Sequence, residues 1–364
     1  MPQMAIDMTT RRSFLVSLLA TASLPRLTWA DAGGPSYLAA AKDPSGQFSL
    51  IGLTREGAEA FHVSLPARGH AGAGHPKRPE AVVFARRPGT FAYVIDCAFG
   101  RVSHDLTAPE GAHFSGHGTY SRDGTTLFTS EISNADGQGQ IGLWDVENGY
   151  ERVGEFASGG LGPHEILRLP DSDTIVVANG GIVTALDDDR SKLNINTMAP
   201  NLTYLSSDGD VLERVELPSH WHQNSIRHLS VTSDGLVGFA MQWEGDPAIM
   251  PPLLGVHKQG DAVVLISLPD YLAPRLKNYA ASIAFSGDET RVAITCPRGG
   301  VMVSFDLAGQ DPEFLPRADV CGISASQNGF YVTDGLGGVL ESKAGKLRPL
   351  AVHDRAWDNH LVRI

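Results

Sequence analysis

Short apolar runs separated by turn residues recur along the chain, and their spacing restricts the fold more than any other feature. Helical periodicity is nearly absent after residue 31. The clearest β-prone runs are residues 126–129, 174–178, 292–295 and 330–333. Many short strands bounded by Gly, Asp, Asn and Pro predict an all-β sandwich, barrel or propeller.

The turns that follow the first strand of each unit set the period. They lie near residues 123, 171, 234, 288 and 328, so the successive gaps are 48, 63, 54 and 40 residues. A four-stranded propeller blade occupies about 40–50 residues. The longest gap contains a polar loop, residues 187–200. A two-sheet sandwich is disfavoured because a chain of 364 residues exceeds its usual size. The period therefore predicts a β-propeller of the WD40 or YVTN kind.

The two ends of the chain predict how the ring closes. Residues 36–65 supply only three strands, and residues 360–364 supply one spare strand. If the spare strand completes the first blade, the count is seven blades, with Glu80 beginning the second unit. Closure removes the exposed sheet edges of an open stack. We expect one propeller domain over residues 31–364; six or eight blades are the alternatives.

Residues 1–30 read as a twin-arginine export signal. Arg11 and Arg12 precede an apolar run, residues 14–24, that is too short to span a bilayer, and Thr28-Trp29-Ala30 suits a signal peptidase. This pattern predicts a periplasmic protein with no membrane span after the signal is removed. The alternative is an N-terminal anchor helix.

Charge and cysteine content limit the partners. The formal net charge is −12, and an acidic surface repels phosphate backbones, so we expect no nucleic-acid partner. The spacing of Cys97, Cys296 and Cys321 fits no zinc or iron–sulfur pattern. The three cysteines could form one disulfide in an oxidising compartment or be three small buried side chains.

Histidines recur at one phase of the repeat. The first strand of a propeller blade lies nearest the axis, and the position six before its turn is His117, His228, Ser282 and Gly322 in four blades. His164 lies seven before its turn, an offset that a one-residue bulge could absorb. With histidines in two further units, five imidazoles are predicted to meet at the axis: His70, His117, His164, His228 and His360.

Converging neutral imidazoles are ligands for a transition-metal ion, here iron or copper. Glu165, Asp358 and Asn224 are further candidate ligands or hydrogen-bond acceptors for those ligands. The alternative is structural, because WD repeats use a Gly-His pair to bind neighbouring backbone, and Gly116-His117 could do the same.

Other motifs carry weaker signals. His220-Trp221-His222, if it lies on a strand, would point two imidazoles to one side as a surface copper or nickel pair, although such pairs are mostly solvated. The sequence contains no nucleophile elbow, zinc-protease helix, dinucleotide fingerprint or haem attachment motif.

Six sequence blocks resemble a bacterial family, the domain of unknown function 1513. The blocks are residues 84–89, 162–165, 225–229, 296–300, 319–322 and 357–361. The resemblance covers nearly the whole chain after the signal and implies a twin-arginine-exported, propeller-like protein without an assigned activity. It also implies a gene neighbourhood with imelysin-type lipoproteins and a di-haem oxidoreductase-like protein, so other periplasmic iron-handling proteins are the expected partners.

We therefore expect a periplasmic metal-binding propeller linked to iron acquisition. Two other classes remain open from the sequence. The first is a non-catalytic scaffold, because propellers present a broad face to partners. The second is a lactonase-like or quinoprotein-like enzyme, which rests on fold analogy alone.

Overall fold

The chain folds as a seven-bladed β-propeller. The computed structural model describes residues 27–86, 90–185 and 191–364. Within them, seven antiparallel sheets of four strands each account for 28 strands, β1 to β28. The innermost strands of neighbouring sheets contact one another around a complete ring.

The strands are numbered in chain order. Those of the first three blades, apart from the closing strand, are β1 (Tyr37–Lys42), β2 (Phe48–Leu53), β3 (Glu59–Leu65), β4 (Gly69–Gly74), β5 (Glu80–Ala85), β6 (Ala92–Asp96), β7 (Arg101–Leu106), β8 (Ala112–Tyr120), β9 (Thr126–Ser133), β10 (Gln138–Asp145) and β11 (Glu151–Leu161). The next two blades contain β12 (Pro163–Arg168), β13 (Ile175–Asn179), β14 (Asn201–Leu205), β15 (Val211–Glu216), β16 (Asn224–Val231), β17 (Val237–Trp243), β18 (Leu254–His257) and β19 (Val264–Ile266).

The remaining strands are β20 (Ser282–Phe285), β21 (Arg291–Cys296), β22 (Val301–Asp306), β23 (Glu313–Pro316), β24 (Val320–Ala325), β25 (Phe330–Asp334), β26 (Gly338–Lys343), β27 (Lys346–Val352) and β28 (Ala356–Arg363). Helical structure in the described residues consists of short 3-10 turns at Trp29–Ala32, Ile195–Thr197, Ser219–Trp221, Ala273–Leu276 and Pro297–Gly299.

The last strand closes the ring. Strand β28 pairs with β1 and becomes the innermost strand of the first blade, with Tyr37 opposite Arg363. The Ile364 N–H donates a hydrogen bond to the Ser36 carbonyl at 3.1 Å. The predicted seven blades and their closure by the C-terminal strand are therefore confirmed. Strand β28 is thus paired within the first blade and packs against the inner strands of both neighbouring blades, so no gap remains between the first and the seventh blade.

The hydrophobic core lies between the blades. One cluster combines Tyr37 and Ile51 of the first blade with Tyr331 of the seventh, and Trp357 and Leu361 of β28 pack into it. The outermost strands alternate exposed and partly buried residues, as in β11 and β15. This alternation is expected where one sheet face meets a neighbour and the strand edge meets solvent.

The second blade begins earlier than the sequence pattern predicts. Its innermost strand is β4, and Glu80, expected to begin the unit, begins the second strand β5. The β4 sequence GHAGAG has no β-branched residue and no Phe, Tyr or Trp, so its strand propensity is low. Small residues fit here because inner strands are crowded near the axis.

The predicted export signal lies mostly outside the described residues. The structure begins at Leu27, and the twin-arginine motif precedes it. The predicted boundary at residue 30 falls inside the first 3-10 turn, where the Trp29 indole N–H donates to the His75 carbonyl at 3.1 Å. The signal itself stays a prediction.

The three cysteines are buried free thiols. Burial raises the pKa of the Cys97 thiol to about 12 and raises the pKa values of Cys296 and Cys321 as well. Of the two sequence alternatives, the structure therefore shows three small buried side chains and no disulfide among them.

Ring closure predicts that two substitutions near the C-terminus, Leu361→Ala and Val352→Ala, lower the free energy of unfolding by different amounts. Leu361 is buried in the cluster that joins the first and seventh blades, so Leu361→Ala should lower the free energy of unfolding by about 2–5 kcal/mol. Val352 on β27 is 76% exposed, so Val352→Ala should change it by less than about 0.5 kcal/mol. Urea unfolding followed by tryptophan fluorescence measures both, and equal effects would contradict the closure.

Candidate functional site

Five histidines from five blades meet at the axis. His70 lies on β4, His117 on β8, His164 on β12, His228 on β16 and His360 on β28, each in an innermost strand. We call these five residues the histidine cluster. The ring centroids are close: 4.5 Å for His70–His360, 4.7 Å for His117–His164 and 4.9 Å for His164–His228. The structure thus brings together all five residues that the sequence predicted to converge.

Irregularities in strand pairing occur at each of these histidines. The register between inner and second strand shifts around His70, His117, His164 and His228. In the first blade, the pairing of β28 with β1 shifts across residues 357–361, which include His360. A bulge re-aims the side chain it carries. Strand β24, which carries Gly322 at the equivalent position, also shifts, whereas β20, which carries Ser282, does not. The irregularity is therefore a feature of most inner strands and is not restricted to those with a histidine.

A glycine makes room for two histidines of neighbouring blades. Gly116 has a φ of +103°, and a Cβ atom there would lie 2.5 Å from the Cδ2 atom of His70. A side chain would therefore meet both an unfavourable backbone conformation and the imidazole of the neighbouring blade. The Gly116-His117 pair thus lets two histidines approach each other.

Four ring nitrogens of the cluster are buried and have no hydrogen-bond partner: His70 Nδ1, His117 Nε2, His228 Nδ1 and His360 Nε2. This does not match the structural alternative, in which each ring would bind neighbouring backbone through these atoms. His75 shows that alternative, because its Nε2 contacts the Gly124 carbonyl at 3.0 Å and its Nδ1 accepts from two backbone N–H groups. An unpaired buried polar atom costs about 1–3 kcal/mol, so this arrangement leaves the nitrogens available for a ligand.

Burial keeps the cluster uncharged. Desolvation, followed by the proximity of other histidines, lowers the pKa values of His70 and His117 well below the usual range. Desolvation and then Arg227 lower the pKa of His228 to about 3. Desolvation and then His228 lower the pKa of His360 to about 3, although Glu165 and Asp358 act in the opposite direction. A neutral imidazole has a free lone pair on one nitrogen, which is the form that binds a metal ion.

One carboxylate reaches the cluster. Glu165 places Oε2 3.5 Å from His228 Nδ1 and Oε1 3.9 Å from His117 Nδ1. Its Oε2 also accepts a hydrogen bond from the Leu229 N–H at 2.9 Å. Burial raises the pKa of Glu165, whereas His360 and the Leu229 hydrogen bond act in the opposite direction. The sequence named Glu165 as a candidate, and the structure places it beside the rings.

Three overlapping sets of side chains could hold an ion. The donor atoms of each set lie within 4.8 Å of one another. The sets are His70 with His117 and His360, His117 with His164 and His228, and Glu165 with His228 and His360. Because every two of them share a histidine, the geometry suits one ion better than two independently bound ions.

The cluster lies between two chambers on the axis. The wide chamber, of about 420 Å³, follows all seven inner strands and reaches His117, Glu165 and His360. The narrow chamber, of about 180 Å³, reaches His70, His164 and His228 from the other side and is lined by basic side chains. Both sides of the cluster therefore adjoin space large enough for water or a small ligand.

Two residues that the sequence analysis named as candidate ligands, Asp358 and Asn224, have other partners in the structure. Asp358 is buried and pairs with two arginines, at 2.5 Å from Arg68 Nε and 3.5 Å from Arg86 Nη1. Asn224 donates to the Pro252 carbonyl at 2.6 Å. Neither belongs to the three donor sets. No role for Arg68 was expected from the sequence, because its contact with Asp358 joins residues 290 positions apart.

The predicted strand around His220 and His222 is wrong. Residues Ser219–Trp221 form a 3-10 turn, so the alternation argument for a surface pair does not hold. His222 Nδ1 contacts the Ser219 carbonyl at 2.9 Å, and His220 is exposed. Pro218 at the start of this segment favours a turn over a strand.

The fold and the site define a class: a β-propeller whose hub is lined by histidines. A family described as protein of unknown function (DUF1513) matches residues 63–364, and the chain belongs to that family. The resemblance inferred from the six sequence blocks is confirmed. No curated protein matches the chain.

Solved structures support the fold alone. Hydrazine synthase of Kuenenia stuttgartiensis is similar with a TM-score of 0.60 at 14% identity, over 90% of this chain and 97% of that one. A protein of unknown function from Bacteroides caccae is similar with a TM-score of 0.50 at 12% identity, over 91% and 99%. In the described part of the chain, no helix is long and apolar enough to span a membrane.

The lowered histidine pKa values predict acid sensitivity of the metal-free protein. Unfolded histidines titrate near pH 6.5, whereas His228 and His360 stay neutral in the fold until about pH 3. As the pH falls through this window, the unfolded state takes up protons that the folded state cannot, so stability falls. Each such histidine contributes about 1.4 kcal/mol per pH unit.

Denaturant unfolding at several pH values between about pH 6 and pH 4, which lie between the unfolded and folded pKa values of these histidines, would measure how the free energy of unfolding changes with pH. His228→Gln should reduce the slope by about 1.4 kcal/mol per pH unit, because one such group is gone. His220→Gln is the matched control, since His220 is exposed and should leave the slope unchanged. Identical slopes in wild type and His228→Gln would contradict the prediction.

Proposed function

We propose that this protein binds a transition-metal ion at the histidine cluster and serves iron acquisition in the periplasm. The observation that carries the proposal is the set of four buried, unpaired imidazole nitrogens supplied by four different blades. A metal ion about 2.0–2.1 Å from such nitrogens would pair several of them at once. No single hydrogen-bond donor can do so.

The donor types favour iron among the metals considered. Glu165, His228 and His360 form a two-histidine, one-carboxylate set, the arrangement typical of non-haem ferrous sites. The two all-histidine sets suit copper or zinc, so copper is the alternative. No cysteine belongs to any of the three sets, so the soft thiolate ligands that select cuprous copper do not contribute.

Rigid positioning supports a binding role. Each ligand lies on an inner strand that is hydrogen-bonded within its own blade, and the blades are packed into a closed ring. The histidines therefore need no large backbone movement to meet an ion. Pre-organised ligands bind more tightly because less conformational entropy is lost on binding.

The cellular part of the proposal rests on sequence. The twin-arginine motif supports export to the periplasm, and that route carries folded proteins, some of which receive a metal before export. The gene neighbourhood implied by the family resemblance supports iron handling with other periplasmic proteins as partners.

Metal titration tests the proposal. The purified protein, stripped with a chelator, should bind one Fe(II) per chain under anaerobic conditions, measured by elemental analysis after gel filtration. His228→Ala and His360→Ala should each weaken binding at least about tenfold, because each removes a donor and about 1.4 kcal/mol or more of binding free energy. The double variant His220→Ala/His222→Ala is the control and should bind like wild type.

A carboxamide substitution separates iron from copper. Glu165→Gln keeps the size of the side chain but removes the charged oxygen of the mixed set. It should weaken Fe(II) binding more than Cu(II) binding, since the all-histidine sets remain. A protein that binds neither ion, or that binds them equally well without His228 and His360, would rule the proposal out.

A further inference from the structure

The narrow chamber places positive charge next to the proposed cation site. His70, His164 and His228 line it together with Arg86, Arg227 and Lys192, of which Lys192 forms an ion pair with Glu244. The positive charge of Arg86 lowers the pKa values of His70, His228 and His360. The positive charge of Arg227 lowers those of His117, His164 and His228. The basic side chains are therefore close enough to influence the rings that would hold the ion.

Asp358, the carboxylate that the described residues place beside Arg86, does not neutralise it fully. Asp358 makes its short contact, 2.5 Å, with Arg68 and approaches Arg86 Nη1 only to 3.5 Å. Two guanidinium groups thus share a single carboxylate. The Arg86 guanidinium retains donors that Asp358 does not engage, because a guanidinium carries five N–H groups.

This arrangement is unfavourable for a lone metal ion. The imidazoles are neutral, so Glu165 is the one anionic donor among the three sets, and it reaches the wide chamber. On the other side the ion would approach guanidinium groups of the same sign. Like charges at short range in a partly desolvated site repel strongly. An anion between the ion and the arginine would turn this repulsion into two attractions.

We propose that the narrow chamber binds a small oxyanion, of the bicarbonate or carboxylate class, that bridges the metal ion and Arg86. This inference rests on the proposed metal-binding function. One oxygen of the anion completes the metal coordination, and another accepts hydrogen bonds from the guanidinium, a geometry that suits planar oxyanions. The anion and the ion then bind cooperatively, each raising the affinity for the other by the same factor.

The size of the chamber favours a small anion. Its volume of about 180 Å³ is less than half the 420 Å³ of the wide chamber. A compact anion such as bicarbonate or acetate suits the smaller of the two spaces. The bridging anion is therefore a small co-ligand of the ion.

Fe(II) titration with and without oxyanion tests the inference. The full-length protein is stripped of metal and exchanged into degassed buffer with chloride as the sole small anion, and bicarbonate, acetate and phosphate are then added separately at equal ionic strength. Fe(II) affinity should rise at least about fivefold with one of them, the lower end of typical coupling between two sites. Bicarbonate or acetate should produce the largest rise. A largest rise with phosphate, which is tetrahedral, would contradict the proposed planar oxyanion.

Substitution of the arginine gives the second measurement. Arg86→Gln should abolish the rise, and in chloride alone it should bind Fe(II) at least as tightly as wild type, because the substitution removes a positive charge that repels the ion. Arg86→Lys should keep part of the rise. Arg363→Gln is the matched control, because Arg363 lines the wide chamber and should keep the full rise. Thermal unfolding of each variant shows whether it is folded.

The outcomes separate the two proposals. Fe(II) binding of equal strength in chloride and in all three oxyanions, or a rise that persists in Arg86→Gln, overturns the bridging anion and leaves the metal site intact. An absence of Fe(II) binding under every condition overturns the metal site itself.

Discussion

Circular closure by β28 is the constraint on which the rest of the structure depends. Strand β28 lies between β1 and the hub, and it contacts the inner strands of both neighbouring blades, β24 and β4. Because the ring is closed, the seven inner strands are held at fixed positions around one axis. Histidines separated by up to 290 positions in sequence, from His70 to His360, then lie within a few ångströms of one another.

Much of this arrangement follows from the repeat. The turn spacing predicted the blade number, and the phase of His117, His164 and His228 within the units predicted their convergence. The sequence repeat could not show which imidazole nitrogens lack hydrogen-bond partners. His75 has a backbone partner and four nitrogens of the histidine cluster have none, and this difference depends on the folded surroundings of each ring. Strand β4 was missed because its glycines and alanines are selected by crowding at the axis and have little intrinsic strand preference.

Two further features were beyond the sequence for physical reasons. The irregular pairing that aims each histidine leaves no composition signal, since the bulged residues are ordinary ones such as Arg227. The contacts of Arg68 and Arg86 with Asp358 join opposite ends of the chain and have no repeat phase. The sequence thus predicts which residues reach the hub, whereas the charge distribution around them appears only in the folded ring.

The position of His360 on the closing strand has a consequence for biosynthesis. The ribosome makes β28 after every other strand of the propeller, and this strand supplies one histidine and the aspartate that holds Arg68. A nascent or truncated chain that lacks it has an open ring and is missing the two donor sets that include His360, the mixed carboxylate set among them. An ion held by either of these two sets would therefore require that synthesis has reached the closing strand.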